Sequence, residues 1–568
     1  MNSTVRLLDH PPRLPVRDQR GADGSAAPSS APQRAPQGAL LGAPTGAPGG
    51  ESRNIARPGA RRIAAALGVP AAMLLAAFGF RAMAFLQAVI DTDEGLYLVQ
   101  AQAWLHGQWP LLAVWDMHPV GAPAVFALSL LAFGDSVEAV RLLGILCAAA
   151  TGWALFGAVR AAGGGRGLGV GAGLLYIAET VQLRGLATNT EILFAPFVAA
   201  AMAVAAGAMA RAARDRAPPR WRDLCAMGAL VGSALAIKQV VVLEGCLAFA
   251  LLAVPALRRG VLPVRRLLGM AAAYALLCAL PTALFGFAYW LRGGLEVFLD
   301  CLFAAPFRYS MGRLGPWEAL QPISTALATL LWPVLLAAIG VASRLRRTPA
   351  VEAGADRAAE TLLAQFGLLW FAAATLAIAW PGYYYPHYFL IWLPPLSVLG
   401  ALGAASLARM ARPRLLRAAF AGILGATAAD AWRSDAAPRL DRGIGLWQPD
   451  PVRQVAEAVE HRSRPGEPIF IVNYHPVVYF LAHAGLPTRF VFPAQLSGDF
   501  DEVSGIDSDA ELARVLASRP RLLVVDRGWW PQLRQKPAAA VKAALRNDYV
   551  LAETIEEERG PVEIWQLR

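Results

Sequence analysis

Charge is scarce in this chain. Only 16% of its 568 residues are Asp, Glu, Lys or Arg, whereas a soluble domain carries about 25%. That excludes an ordinary soluble fold, and 56% hydrophobic residues with a mean hydropathy of +0.42 point the same way. Cysteine is also sparse. Cys147, Cys225, Cys246, Cys278 and Cys301 show no CxxC or paired spacing, which excludes a disulfide framework and a thiolate metal site and leaves them as small apolar fillers. No internal repeat is visible, although many transporters show one.

What the chain has instead is long apolar runs. They recur from about residue 63 to 431, each near the roughly 20 residues that cross a bilayer. The expected class is a polytopic α-helical membrane protein. Its net charge of +11 is then no nucleic-acid signal, because the Arg clusters lie between runs, as the positive-inside rule requires. Residues 1–60 are rich in Pro, Ala, Gly and Ser and read as a disordered cytoplasmic tail. Arg53, Arg57, Arg61 and Arg62 precede the first span and place residue 91 outside.

Parity of crossing shapes the next segment. If all four apolar runs between 120 and 210 crossed, the Arg-rich stretch 211–223 would lie outside. The run from Val120 to Phe133 is too short for a confident crossing. The charge rule therefore predicts a long first outer loop with two interfacial helices, about 91–106 and 119–133. The spans are then 63–86, 137–159, 168–182, 191–210, 224–238, 240–257, 267–290, 320–342, 362–380, 389–407 and 415–431, about eleven in all. Residues 61–431 form the membrane domain. Residues 432–568 alternate strand-like and helical stretches, which predicts a small extracytoplasmic α/β domain. Its expected strands are 468–474, RFVFP (489–493), RLLVVD (521–526) and 549–555, and VEIWQLR closes the chain.

The first outer loop opens DTDE, with Asp91, Asp93 and Glu94 together beside a span. Acids so placed serve chemistry or an ion. A transferase acting on a hydroxyl or amine needs a carboxylate to take the acceptor's proton. Asp93 is the first candidate and Glu94 and Asp91 its rivals, while an N-terminal helix acid accounts for any of them equally well. Tyr97 lies on the same helix, and Trp109 and Trp115 suit a headgroup layer. His118, before Pro119, is a cation candidate for a phosphate. The short loop 183–190 brings Arg184 and Asn189, followed by Glu191, a second carboxylate or simply a helix-start acid. Lys238, in AIKQVV, either snorkels or holds a lipid-linked phosphate. Arg308 and Arg313 in the second outer loop are further phosphate candidates. In PGYYYPHYFLIWLPP, an aromatic belt explains Tyr383, Tyr384, Tyr385 and Tyr388 but not His387.

The stretch TDEGLYLVQAQAWLHGQWP followed by DMHPVGAP resembles the first outer loop of the polyprenyl-phosphate-sugar-dependent glycosyltransferases of GT-C fold. The nearest group is glycosyltransferase family 39, with the protein O-mannosyltransferases and aminoarabinose transferases. The matching residues are Asp93 and Glu94, Tyr97, Gly107 with Trp109, and His118 with Pro119; TNTEILFAPF, AIKQ and YPHYFLIWLPPL are supporting. The resemblance implies inverting transfer from a polyprenyl-phosphate sugar on the outer face of the membrane. It makes Asp93 the acid/base group and puts His118 on the carrier phosphate, where many relatives have Lys. It puts Glu191 at a second acidic position. Lys238 and Arg308 join the phosphate set, with Tyr97, Asn189, Tyr385 and His387 near substrate. The implied partners are the lipid-borne donor, membrane lipid, and a glycan, lipid or protein acceptor, without nucleic acid. Some GT-C enzymes need a divalent metal; two carboxylates without a clear third ligand favour metal-free catalysis. A transporter or lipid flippase is the alternative, and the gathering of polar residues on one face rather than mid-membrane argues against it.

Overall fold

The computed structural model describes residues 58–345, 355–410 and 413–568. The expected tail lies outside them except for residues 58–60, which begin a helix. The membrane part runs α1 (Pro58–Arg81), α2 (Thr92–Leu105), α3 (Gly121–Phe133), α4 (Val137–Ala161), α5 (Arg166–Glu179) and α6 (Thr190–Asp215). It continues with α7 (Trp221–Leu235), α8 (Val242–Arg258), α9 (Val264–Leu291), α10 (Leu295–Leu299), α11 (Ala305–Met311), α12 (Pro316–Thr329), α13 (Leu331–Leu345), α14 (Ala355–Ala379), α15 (Leu393–Met410) and α16 (Pro413–Asp435).

Seven helices among the described residues are long and apolar enough to cross a membrane, and α12 with α13 would make an eighth if that pair, bent by 80°, is one span. The protein is a multi-pass membrane protein. The expected count of about eleven exceeds this for visible reasons. Helices α5 and α7 have 14 and 15 residues, short of a bilayer's thickness at 1.5 Å per residue. Helix α16 is long enough but carries Asp430, Arg433 and Asp435. The two helices expected in the first outer loop are present as α2 and α3, within one or two residues of their expected limits.

Buried charge fixes how these helices meet. Glu94 of α2 pairs with Arg141 of α4, both buried, and also accepts the Thr188 N–H at 2.7 Å. Arg141 further donates to the carbonyls of Gln87 and Ala88, 3.3 Å each. Arg81, at the end of α1 and fully buried, donates to Thr180 and Leu186 carbonyls. These bonds satisfy backbone groups in the segments before α2 and before α6 that would otherwise be orphaned. Close packing of α13 on α15 relies on Gly340 and Gly403, where any Cβ would collide with the carbonyls of Leu399 and Leu336, a small-residue contact usual between membrane helices.

The C-terminal sheet has four strands, β1 (Phe470–Ile471), β2 (Leu522–Asp526), β3 (Tyr549–Ile555) and β4 (Val562–Leu567), in the order β1-β2-β4-β3. The pair β1/β2 is parallel and the rest antiparallel, with Leu523 opposite Trp565 and Val524 opposite Ile564. Three expected strands are there, though the first is only two residues, and VEIWQLR supplies a fourth as β4. RFVFP is not a strand. Its backbone turns to the membrane part instead: the Trp115 N–H donates to the Arg489 carbonyl at 2.8 Å, and the Trp115 and Phe490 rings pack 5.8 Å apart. Asp450 accepts the Ala88 N–H at 2.6 Å, and Arg308 donates to the Val503 carbonyl at 3.0 Å. Residues 69–568 accordingly pack as one unit.

Candidate active site

Helix α2 begins because Asp91 is extended and its carboxylate accepts the Asp93 N–H, an N-cap. That cap places Asp91 and Asp93 beside the 3-10 helix Pro386–Trp392 that leads into α15. There His387 stands with Nδ1 3.2 Å from Asp91 Oδ2 and Nε2 3.8 Å from Asp93 Oδ2. Asp91 is almost shut in, while the Asp93 side chain keeps 24% of its surface exposed. The Tyr385 ring lies parallel to the His387 ring, and Tyr388 meets it edge-on at 4.8 Å.

These groups line a cavity of about 570 Å³. Asp116, His118 and Arg184 share its wall, with Tyr309, Tyr383, Tyr385 and Tyr388 as aromatic lining. Residues after 432 supply the remainder, including Asn473, Gln495, Ser497 and Trp529. His118 Nδ1 is 3.0 Å from Asp116 Oδ1 and 3.4 Å from the Tyr97 hydroxyl, so Tyr97 backs the wall without lining it. Leu183 and Arg184 both have positive φ, 55° and 62°, and Tyr384 has 52°. For side chains with a Cβ this is strained backbone, and at Arg184 it accompanies the presentation of a cation to the cavity.

The two carboxylates titrate apart. Burial pushes Asp91 up, but the charge and hydrogen bond of His387, with the charge of Arg184, outweigh it and hold Asp91 down at about 2. Asp93 moves the other way. Burial raises it first, the Asp91 charge raises it further, and His387, His118 and Lys238 offset this only in part. A pair of acids with separated affinities for a proton is the pattern of one fixed anion beside one exchanging base.

Not every candidate residue reaches the cavity. Asp93, His118, Tyr385 and His387 do. Glu94 is turned away and committed to Arg141 and Thr188, so its environment is that of a structural ion pair. Lys238 and Glu191 form a buried pair, 2.6 Å apart, behind Tyr388, whose ring lies 4.6 Å from the ammonium. Arg308 is held by Asp300, with both terminal nitrogens within 2.9 Å of its carboxylate. Asn189 is buried and its amide atoms have no hydrogen-bond partner among the described residues. Tyr309 and the C-terminal lining were not foreseeable from spacing, since they lie in segments without a motif. Among the described residues no group of three or more His, Cys, Asp or Glu is arranged to hold a metal ion.

Residues 117–285 match the family model for dolichyl-phosphate-mannose-protein mannosyltransferases. This match supports a membrane glycosyltransferase and falls within the superfamily that the first-loop motif resembles. Its span takes in His118, Glu191 and Lys238, begins directly after Asp116 and leaves Asp91 and Asp93 outside. No curated protein matches the chain by sequence. Among solved structures, the Archaeoglobus fulgidus oligosaccharyltransferase tethered to an acceptor peptide is similar at 13% identity, covering 89% of this chain and 74% of that one, with a TM-score of 0.49. Its apo form is similar at 12% identity, covering 82% and 70%, with a TM-score of 0.43.

Proposed function

We propose that the protein moves a sugar from a polyprenyl-phosphate carrier to an acceptor hydroxyl or amine on the outer face of the cytoplasmic membrane, with inversion at the sugar. Asp93 is the general base. As the acceptor oxygen or nitrogen attacks the anomeric carbon, Asp93 takes its proton, the bond from that carbon to the phosphate oxygen breaks, and polyprenyl phosphate leaves with the electron pair. Attack and departure on opposite faces invert the centre. The observation that carries this reading is the partly exposed Asp93, its proton affinity raised, in a cavity shared with Arg184 and His118. A base with raised affinity takes a proton more readily in the transition state.

Asp91 and His387 position and polarise Asp93. Arg184 and His118 neutralise the departing phosphate, which requires opposing charge rather than a proton. Lys238, already matched by Glu191, acts on that field from behind. The C-terminal domain stands outside and roofs the site, and the N-terminus is cytoplasmic. The test is transfer from a radiolabelled polyprenyl-phosphate sugar by purified Asp93→Asn protein in proteoliposomes. Loss of transfer with intact folding supports the assignment; full transfer removes Asp93 from it, and movement of lipid across the bilayer without glycosyl product favours a transporter.

A further inference from the structure

A second cavity, of about 240 Å³, shares Trp529 as a lining residue with the first. It is built where the loop leading to Asp91 meets the C-terminal domain. Gln87 and Val89 form part of its wall, and the intervening Ala88 N–H is held by Asp450, itself a lining residue. A ligand here would therefore touch the segment that carries the reacting acids.

The lining is polar and its charges cancel. Arg439, Arg442 and Arg559 are set against Asp450, Glu557 and Glu558. A phosphate or carboxylate ligand calls for a clear excess of positive charge, and a cation for the reverse; neither is present. Planar guanidinium and carboxylate groups of both signs suit vicinal hydroxyls, which donate and accept from adjacent atoms. The indole of Trp529, with the Arg559 guanidinium 4.5 Å from its ring, adds an apolar surface for the C–H face of a ring. The cavity is below the roughly 300–1,000 Å³ of drug-sized sites and suits one small ring.

We infer that this second cavity is a saccharide subsite, and that the acceptor is a glycan whose adjoining sugar unit sits there while its terminal hydroxyl reaches the main cavity past Trp529. The inference rests on the glycosyltransferase reading and narrows its acceptor class. The geometry favours a glycan over a Ser/Thr peptide, because a sugar ring can stack its C–H face on Trp529 while its vicinal hydroxyls donate to carboxylate edges and accept from guanidinium edges.

The test uses the full chain in detergent micelles with gluco-, manno-, galacto- and arabino-oligosaccharides of one to four units, read by saturation-transfer NMR. In at least one series the affinity should rise about tenfold from one unit to two, roughly 1.4 kcal/mol. Arg442→Ala and Glu558→Gln, both at exposed positions, should abolish that rise while leaving the melting temperature unchanged. Trp529→Ala should also abolish it, and its folding is checked against those two. No length dependence in any series, or one that persists in both surface variants, overturns the subsite. Asp93→Asn separates the two readings. If it stops transfer but no length dependence exists, the subsite falls alone. If it retains transfer while the length dependence tracks Arg442 and Glu558, the catalytic reading falls and the subsite stands.

Discussion

His387 stands between two aspartates of the same helix start, with Nδ1 3.2 Å from Asp91 and Nε2 3.8 Å from Asp93. One ring thus connects an anion that stays ionised to a carboxyl whose proton affinity is raised. A pH profile should expose this division. The Asp91 charge raises Asp93, so Asp91→Asn should lower the Asp93 pKa and move the acid limb of kcat/KM to lower pH. An unmoved limb, or one displaced to higher pH, would show that Asp93 is not the titrating base.

Arg184 lines the reaction cavity and Lys238 does not. Arg184→Ala should weaken transition-state and donor binding, lowering kcat/KM for the polyprenyl-phosphate sugar by about 10–100-fold, on the scale of a lost charged hydrogen bond. Acceptor KM should change little. Steady-state kinetics with each substrate varied in turn decides this, and an effect confined to the acceptor would remove Arg184 from the phosphate.

Glu94 and Arg141 are predicted to matter for folding. Arg141→Ala leaves a buried carboxylate uncompensated and should destabilise by about 3–5 kcal/mol. Replacing both with apolar residues of similar volume should recover much of that loss. Thermal unfolding in detergent measures both; equal instability of the single and double variants would contradict the pairing.

Asp526 gives a pH-dependent stability with the opposite sign to a salt-bridged acid. Burial raises it to about 7, against its ordinary 3.8, although it accepts N–H groups from Gly528 and Trp529. The folded state then binds the proton more tightly than the unfolded one. Stability falls as pH rises from about 4 to 7 and is flat beyond, a change on the order of 4 kcal/mol. Asp526→Asn keeps the acceptor oxygen and should abolish that slope in unfolding monitored between pH 4 and 8. A slope that survives would assign it to another group.

Much of the membrane part was legible because bilayer thickness and Arg placement act on sequence directly. The charge rule and the shortness of the 120–133 run together predict two helices in the first outer loop, and α2 and α3 are present. The expected spans and the seven long apolar helices part at α5 and α7, which are short, and at α16, which is less apolar. RFVFP shows a limit of another kind. Its alternating residues fit a strand, yet Arg489 and Phe490 are drawn to Trp115, nearly four hundred residues earlier in the chain, and no local pattern encodes such a partner. The acids of the site were visible as a cluster. Which of them faces the cavity was not, because Asp93 and Glu94 are adjacent on a helix and diverge by about 100°, and the pattern does not show that Glu94 is taken by Arg141. The lining from the C-terminal domain was invisible for the same reason as the RFVFP contact.

The bond from the Ala88 N–H to Asp450 joins residues 362 positions apart. It sets an order of assembly. During synthesis the segment carrying Asp91 and Asp93 leaves the ribosome first, and the Asp450 that pins it follows 362 residues after Ala88. Contacts so distant in sequence form late, and domains mature in order of synthesis. A chain halted before Asp450 would lack the bond that holds the backbone ahead of Asp91 and Asp93. The arrangement of these two acids would then report that synthesis has passed that point.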